Sequence, residues 1–153
     1  MTVSAVTPPP AMPKGFWIAL AINAVWINVS EVFRYFVFVM PQMRADFPEL
    51  ADVAPMTLGV FAIWGVWDTI LVAAATVIPW FALERFGPTA RNAVLAGTGV
   101  WLTVFCLLWI GLYNMGLATL TVMAMALPLA WLEMAIAALI VRWSQRRYAG
   151  AAV

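Results

Sequence analysis

The sequence contains no histidine. That absence removes His-ligated haem and chlorophyll, the histidine-based zinc and di-iron sites, and the Ser-His-Asp triad. Cysteine is almost absent as well. Cys106 stands alone, which excludes an intramolecular disulfide and a Cys-x-x-Cys redox pair. Charge is scarce: 10% of the 153 residues are charged and 65% are hydrophobic, whereas a soluble domain carries about a quarter charged residues. A soluble domain of this composition could not cover its apolar surface with polar side chains, so the bilayer is the natural solvent. The net charge of +1 gives no reason to expect a nucleic-acid partner, and no cofactor is expected.

What is present is long apolar runs. Spans of about 16–40, 57–82, 90–113 and 118–143 each approach the roughly 20 residues that a bilayer requires. Lipid offers the backbone no hydrogen-bond partners, so these spans are expected to be helices. Strands of about ten alternating residues, the mark of a membrane barrel, do not occur. The fold class is therefore all-α, a four-transmembrane-helix antiparallel bundle over 16–143. Residues 1–15, "MTVSAVTPPPAMPKG", hold four prolines and no apolar period, and are read as a flexible cytoplasmic tail rather than a signal peptide. Residues 144–153 form a basic cytoplasmic tail.

The links refine this picture. "PQMRADFPELADVAP" joins the first two spans, and its Pro48 is expected to open a short interfacial turn. In "ERFGPTARN", Gly87 is a helix stop and Pro88 a first-turn residue of the next helix. "YNMGLAT" is a tight uncharged turn. Bases near the span ends set the orientation. Lys14, Arg85, Arg91, Arg142, Arg146 and Arg147 fall on one side, and only Arg44 falls on the other. Both termini are thus expected in the cytoplasm, in a bacterial inner (plasma) membrane. Trp17, Trp80 and Trp143 would form one aromatic belt, and Trp109 and Tyr113 the other.

Four ionisable side chains fall inside the spans: Glu31, Arg34, Asp68 and Glu133. Each costs about 2.5 to 3.5 kcal/mol at a helix centre on an insertion scale. Interhelical ties alone would explain an isolated pair, but three carboxylates with one arginine favour a functional site. In "NVSEVFRY", Glu31 and Arg34 are spaced i, i+3 and can touch. Asn28 and Tyr35 extend the stripe, which should face other helices, with Arg34 reaching toward the nearer interface. If Arg34 serves Glu31, then Asp68 and Glu133 have no charge partner. Asp68, beside Trp64 and Trp67 in "AIWGVWDTILV", is the residue expected to exchange protons. Glu133 follows the helix-bending Pro128 by five residues.

Trp26, Trp67, Trp101 and Trp131 lie one per span near mid-depth. They imply either core packing with each indole N–H bonded to a carbonyl, or a pocket for a flat or cationic ligand. Ala93 and Gly97 have the small-xxx-small spacing that permits close helix approach. Four spans with an acidic residue in the first resemble the small multidrug-resistance exporters in outline. This chain is longer, and Glu31 lies in a different local sequence, "NVSEVFR", so no residue role carries over.

The candidate ligand- or ion-binding residues are therefore Glu31, Arg34, Asp68, Glu133, Asn28, Trp64 and Trp67. The leading functional expectation is a small proton- or cation-linked transporter subunit, working as a homo-oligomer in the bilayer. An accessory or assembly subunit of a larger membrane complex is the second reading. A lipid-acting intramembrane isomerase using paired carboxylates is the third. A non-enzymatic role is favoured over an enzymatic one.

Overall fold

The structure is a computed structural model that describes residues 12–49 and 57–148. The remainder of the expected tails (1–11 and 149–153), and residues 50–56 of the first link, lie outside the described residues. Four helices long and apolar enough to cross a membrane make up the fold: α1 (Lys14–Asp46), α2 (Leu58–Phe86), α3 (Ala90–Asn114) and α4 (Leu120–Tyr148). The described residues contain no strand.

Local chemistry sets the helix ends. Thr57 and Thr89 precede α2 and α3, and their hydroxyls accept hydrogen bonds from the backbone N–H groups of Val60 and Asn92. Thr119 does the same for Val122 at the start of α4. Such caps satisfy donors that the first turn of a helix leaves free. Gly87 closes α2 at φ 91°, a conformation that side chains resist. Pro88 does not enter the first turn of α3, because Thr89 takes the capping position ahead of Ala90.

Helix α1 runs past Pro41, where the sequence suggests a link. The reason lies just before the proline. Tyr35–Val39 is π-helical, and the Met40 N–H donates to the Tyr35 carbonyl, five residues back. Proline has no N–H and would leave the carbonyl four residues earlier unpaired. A five-residue register sets in just ahead of it, and the helix continues through Pro41 to Asp46 before turning at Pro48 and Glu49. A second π-helical segment, Leu102–Cys106, interrupts α3.

Packing centres on α4, which touches all three other helices. Its buried face is Val122, Ala126, Ala130, Glu133, Met134, Ala137, Ala138 and Val141. Lipid tails are as apolar as leucine, so small residues that admit close backbone approach hold such interfaces. Gly97 shows how close the approach is: a Cβ there would lie 2.5 Å from the Met134 carbonyl oxygen. Ala93, one turn before it, is fully buried, so the spacing noted in the sequence does lie on the α3–α4 contact.

Polar ties fix the level of α1 against α4. Ser144 Oγ donates to the Gly15 carbonyl at 2.6 Å, Trp26 Nε1 to the Glu133 carbonyl at 3.1 Å, and the Thr119 hydroxyl to Asp46. Around the first of these ties, Phe16, Ala19, Trp80, Leu83, Ala138 and Val141 form a closed core. One face of the second half of α2 is buried, with Trp80 and Leu83 in this core and Leu71, Val72 and Ala75 in the neighbouring one around Ile27. The first half of α2 is not: Leu58 is 85% exposed, and Phe61, Ile63 and Val66 are also exposed. This half packs closely on neither the π segment nor the last part of α3, so a cleft separates it from the bundle. The expected belts need correction. Trp17 and Trp143 are exposed, but Trp80 and Trp109 are buried in the core. Trp80 stacks edge-on against Phe16 and donates to Glu84 Oε1 at 2.6 Å.

Candidate functional site

Arg34 lies at the end of the regular part of α1 and points into the bundle, not toward an interface as the sequence suggested. Its two terminal nitrogens serve two carboxylates on different helices. One lies 2.5 Å from Glu31 Oε1 and the other 2.8 Å from Glu133 Oε2. All three residues are buried, Glu133 to 2% exposure. The guanidinium carbon stands 4.8 Å from the centre of the Phe105 ring, in the π segment of α3. Glu133 therefore has a charge partner, contrary to the reading from sequence, and shares it with Glu31.

That arrangement satisfies the arginine more fully than the acids. Glu133 Oε1 is buried with no hydrogen-bond partner among the described residues; the Ser30 hydroxyl nearby donates instead to the Ile27 carbonyl at 3.2 Å. Asp68 is left out altogether: it joins no ion pair among the described residues, and its Oδ1 is buried without a hydrogen-bond partner. Asp68 bonds neither Arg34 nor Glu31. Buried carboxyl oxygens without partners are costly, so two of them beside one arginine mark a place where the protein has not minimised its own polar cost.

Two adjoining cavities give access to the cluster. One, of about 210 Å³, is lined by Glu31, Arg34, Tyr35, Trp64, Trp67 and Phe105, among others. The second, of about 180 Å³, is lined by Asn28, Glu31, Tyr35, Phe61, Trp64 and Asp68, among others. Glu31, Tyr35 and Trp64 border both. Trp64 is 37% exposed and meets Tyr35 with ring centres 5.8 Å apart. Both cavities lie under the splayed first half of α2, and both π-helical segments contribute residues to the larger one: Tyr35 and Val39 from α1, Phe105 from α3. Such insertions are frequent at functional sites because they re-aim side chains without ending the helix.

Asn28 does not belong to a buried seam. It is exposed, and its amide donates to the Ala24 carbonyl of its own helix at 2.8 Å. The buried polar stripe of α1 instead runs Asn23, Glu31, Arg34. Asn23 donates to Thr76 Oγ1 at 3.0 Å and to the Ala137 carbonyl at 3.3 Å, tying α1 to α2 and α4, and its Oδ1 is unpartnered. The signal for it was available, since Asn23 stands two turns before Glu31, close to the same face.

The mid-depth tryptophans divide into two kinds. Trp26 and Trp101 donate to the carbonyls of Glu133 and Leu127, and Trp131 donates to Thr98 Oγ1 at 3.0 Å. These three are interhelical ties. Trp67 makes no such bond and lines the cleft. Among the described residues no set of three or more acidic or sulfur side chains is grouped to hold a metal ion.

No family model matches the chain, and no curated protein or solved structure matches it either.

Proposed function

We propose that this protein is a proton- or cation-linked membrane transporter subunit whose working site is the carboxyl cluster of Glu31, Glu133 and Asp68 around Arg34. The observation that carries this reading is the imbalance of the cluster. Two buried carboxyl groups share one guanidinium and a third, half-buried Asp68, stands apart without a charge partner, while Glu133 Oε1 and Asp68 Oδ1 find no hydrogen-bond partner among the described residues. Fully ionised, the group would hold two unbalanced negative charges in a low-dielectric interior. Such charge is neutralised by protons or by a cation, and groups that take up and release them are what a coupled transporter requires. The adjoining cavities supply a way in for either.

In this reading the helices run antiparallel, with both termini and the arginine-rich ends in the cytoplasm. A chain of four helices encloses little of a pathway alone, so two copies act together. Reconstitution into liposomes with a trapped pH-sensitive dye tests the proposal. Protein-dependent proton movement, driven by an imposed pH or cation gradient, is expected. Liposomes no leakier than protein-free ones under every imposed gradient would refute it.

The splayed half of α2 favours a second reading, an accessory subunit of a larger membrane complex. A partner helix would then cover Phe61, Ile63 and Val66, which are exposed here. Extraction in mild detergent followed by mass spectrometry distinguishes the two, since a transporter of this kind comes out with copies of itself and an accessory subunit comes out with its partners.

A further inference from the structure

We propose that the groove at the arginine-rich end of the bundle, between the start of α1 and the ends of α2 and α4, binds the phosphate-bearing headgroup of an anionic phospholipid. The site is separate from the carboxyl cluster and does not rest on the transport reading. The groove has a volume of about 550 Å³. Buried Trp80 and Leu83 line its inner part, and exposed Arg146 and Glu84 its outer part. An apolar floor under a charged edge suits a molecule that is itself part apolar and part charged.

Depth selects a lipid. Helices α2 and α4 are each 29 residues long, about 44 Å at about 1.5 Å per residue, whereas the hydrocarbon layer is about 30 Å thick. Their ends therefore emerge at the level of the headgroups. Trp17 and Trp143, exposed near the same ends, suit that level.

Charge selects an anionic one. Six bases, Lys14, Arg85, Arg91, Arg142, Arg146 and Arg147, stand at this end beside one acid, Glu84, six minus one giving +5. The link between α1 and α2 holds Arg44 with Asp46, Glu49 and Asp52, one minus three giving −2. Both ion pairs among the described residues belong to Arg34, so none involves these six bases. Residues 1–13 and 148–153 contain no acidic side chain to pair with them. Basic pockets between membrane helices hold anionic lipid headgroups in this way. Helix carbonyl ends repel an anion, but those of α2 are already bonded. The Trp80 carbonyl accepts from Gln145 Nε2 at 3.0 Å, those of Phe86 and Gly87 from Asn92 Nδ2, and that of Pro88 from Arg142 Nε at 3.1 Å. One Glu84 oxygen accepts from Trp80 Nε1 at 2.6 Å. Helix α1 presents its N–H end to the groove without a side-chain cap, which adds to the positive potential there.

The test is native mass spectrometry of the purified full chain in detergent, titrated with phosphatidylglycerol and, separately, with phosphatidylcholine of the same acyl chains. Saturable binding of a first phosphatidylglycerol is expected, with an affinity about fivefold or more above that of phosphatidylcholine. Arg146→Gln should weaken it by about fivefold, the usual effect of one base near anionic lipid. Arg147→Gln removes the same charge from the next residue, which does not line the groove, and should leave the affinity nearly unchanged. Both arginines are exposed, so neither change threatens the fold, and circular dichroism checks this. Glycerol phosphate, a headgroup without acyl chains, should fail to displace the lipid at equal concentration. Equal affinity for the two lipids, or no saturable binding of either, would overturn the assignment. So would equal effects of the two substitutions, which would mean diffuse surface charge, or displacement by glycerol phosphate, which would mean a site for soluble phosphates.

Discussion

Arg34 meets Glu31 on its own helix and Glu133 on α4, and the two contacts differ in how they could be read beforehand. The first follows from i, i+3 spacing and is legible in "SEVFR". The second joins residues 99 apart in sequence and depends on how α1 and α4 register, which no local pattern encodes. The difference changes what substitution should do. From sequence alone, replacing Glu31 and Arg34 together removes a self-contained pair. With Glu133 in the cluster, that double replacement leaves a buried glutamate behind. Arg34→Met alone is expected to cost about 3 to 5 kcal/mol, because it strands two buried carboxylates. Adding Glu31→Gln and Glu133→Gln should restore most of the loss. Thermal or denaturant unfolding in detergent gives the comparison. A triple variant no more stable than Arg34→Met would mean that the three residues are not neutralising one another.

At the level of the helix, the apolar runs show where four helices lie but not how they behave inside. The π segment that carries α1 through Pro41 has no sequence signature. Only the proline is visible, and by itself it reads as a stop. The same holds for Leu102–Cys106, although it aims Phe105 at Arg34. The contact between α3 and α4 was more accessible, since Ala93 and Gly97 announce it by size and spacing. Gly97 meets the backbone of Met134 and Ala135, which cannot rotate aside as a side chain would. Gly97→Ala is therefore expected to push the helices apart and destabilise the protein by about 1 to 3 kcal/mol, the usual cost of overpacking. Gly99, around which a Cβ meets nothing, supplies the control. Gly99→Ala should be neutral or slightly stabilising through better helix propensity. Equal effects at the two positions would show that close approach at Gly97 is not what holds α3 to α4.

Across the whole molecule, four long apolar helices pack tightly near Phe16, Trp80 and Val141 and open toward Leu58. Among the described residues, the split under the first half of α2 gives the carboxyl cluster an approach from that end. If the arginine-rich ends face the cytoplasm, that approach lies in the half of the membrane away from it. A cysteine at position 49, in a protein with Cys106→Ala, is expected to react with an impermeant thiol reagent added outside intact cells. One at position 88 should react only after the membrane is opened. Labelling of position 49 solely after opening would invert the topology.

The proposed exchange of protons or cations rests on a cluster that holds more carboxyl groups than its one arginine can balance. The most direct measurement compares wild-type protein with Asp68→Asn in proteoliposomes, following internal pH after a gradient is imposed. Asparagine keeps a neutral hydrogen-bonding shape at position 68 but cannot titrate. The variant is expected to fold and reconstitute like the wild type, yet to lose about tenfold or more of the protein-dependent proton movement. An Asp68→Asn protein with wild-type flux and an unchanged response to pH would contradict it.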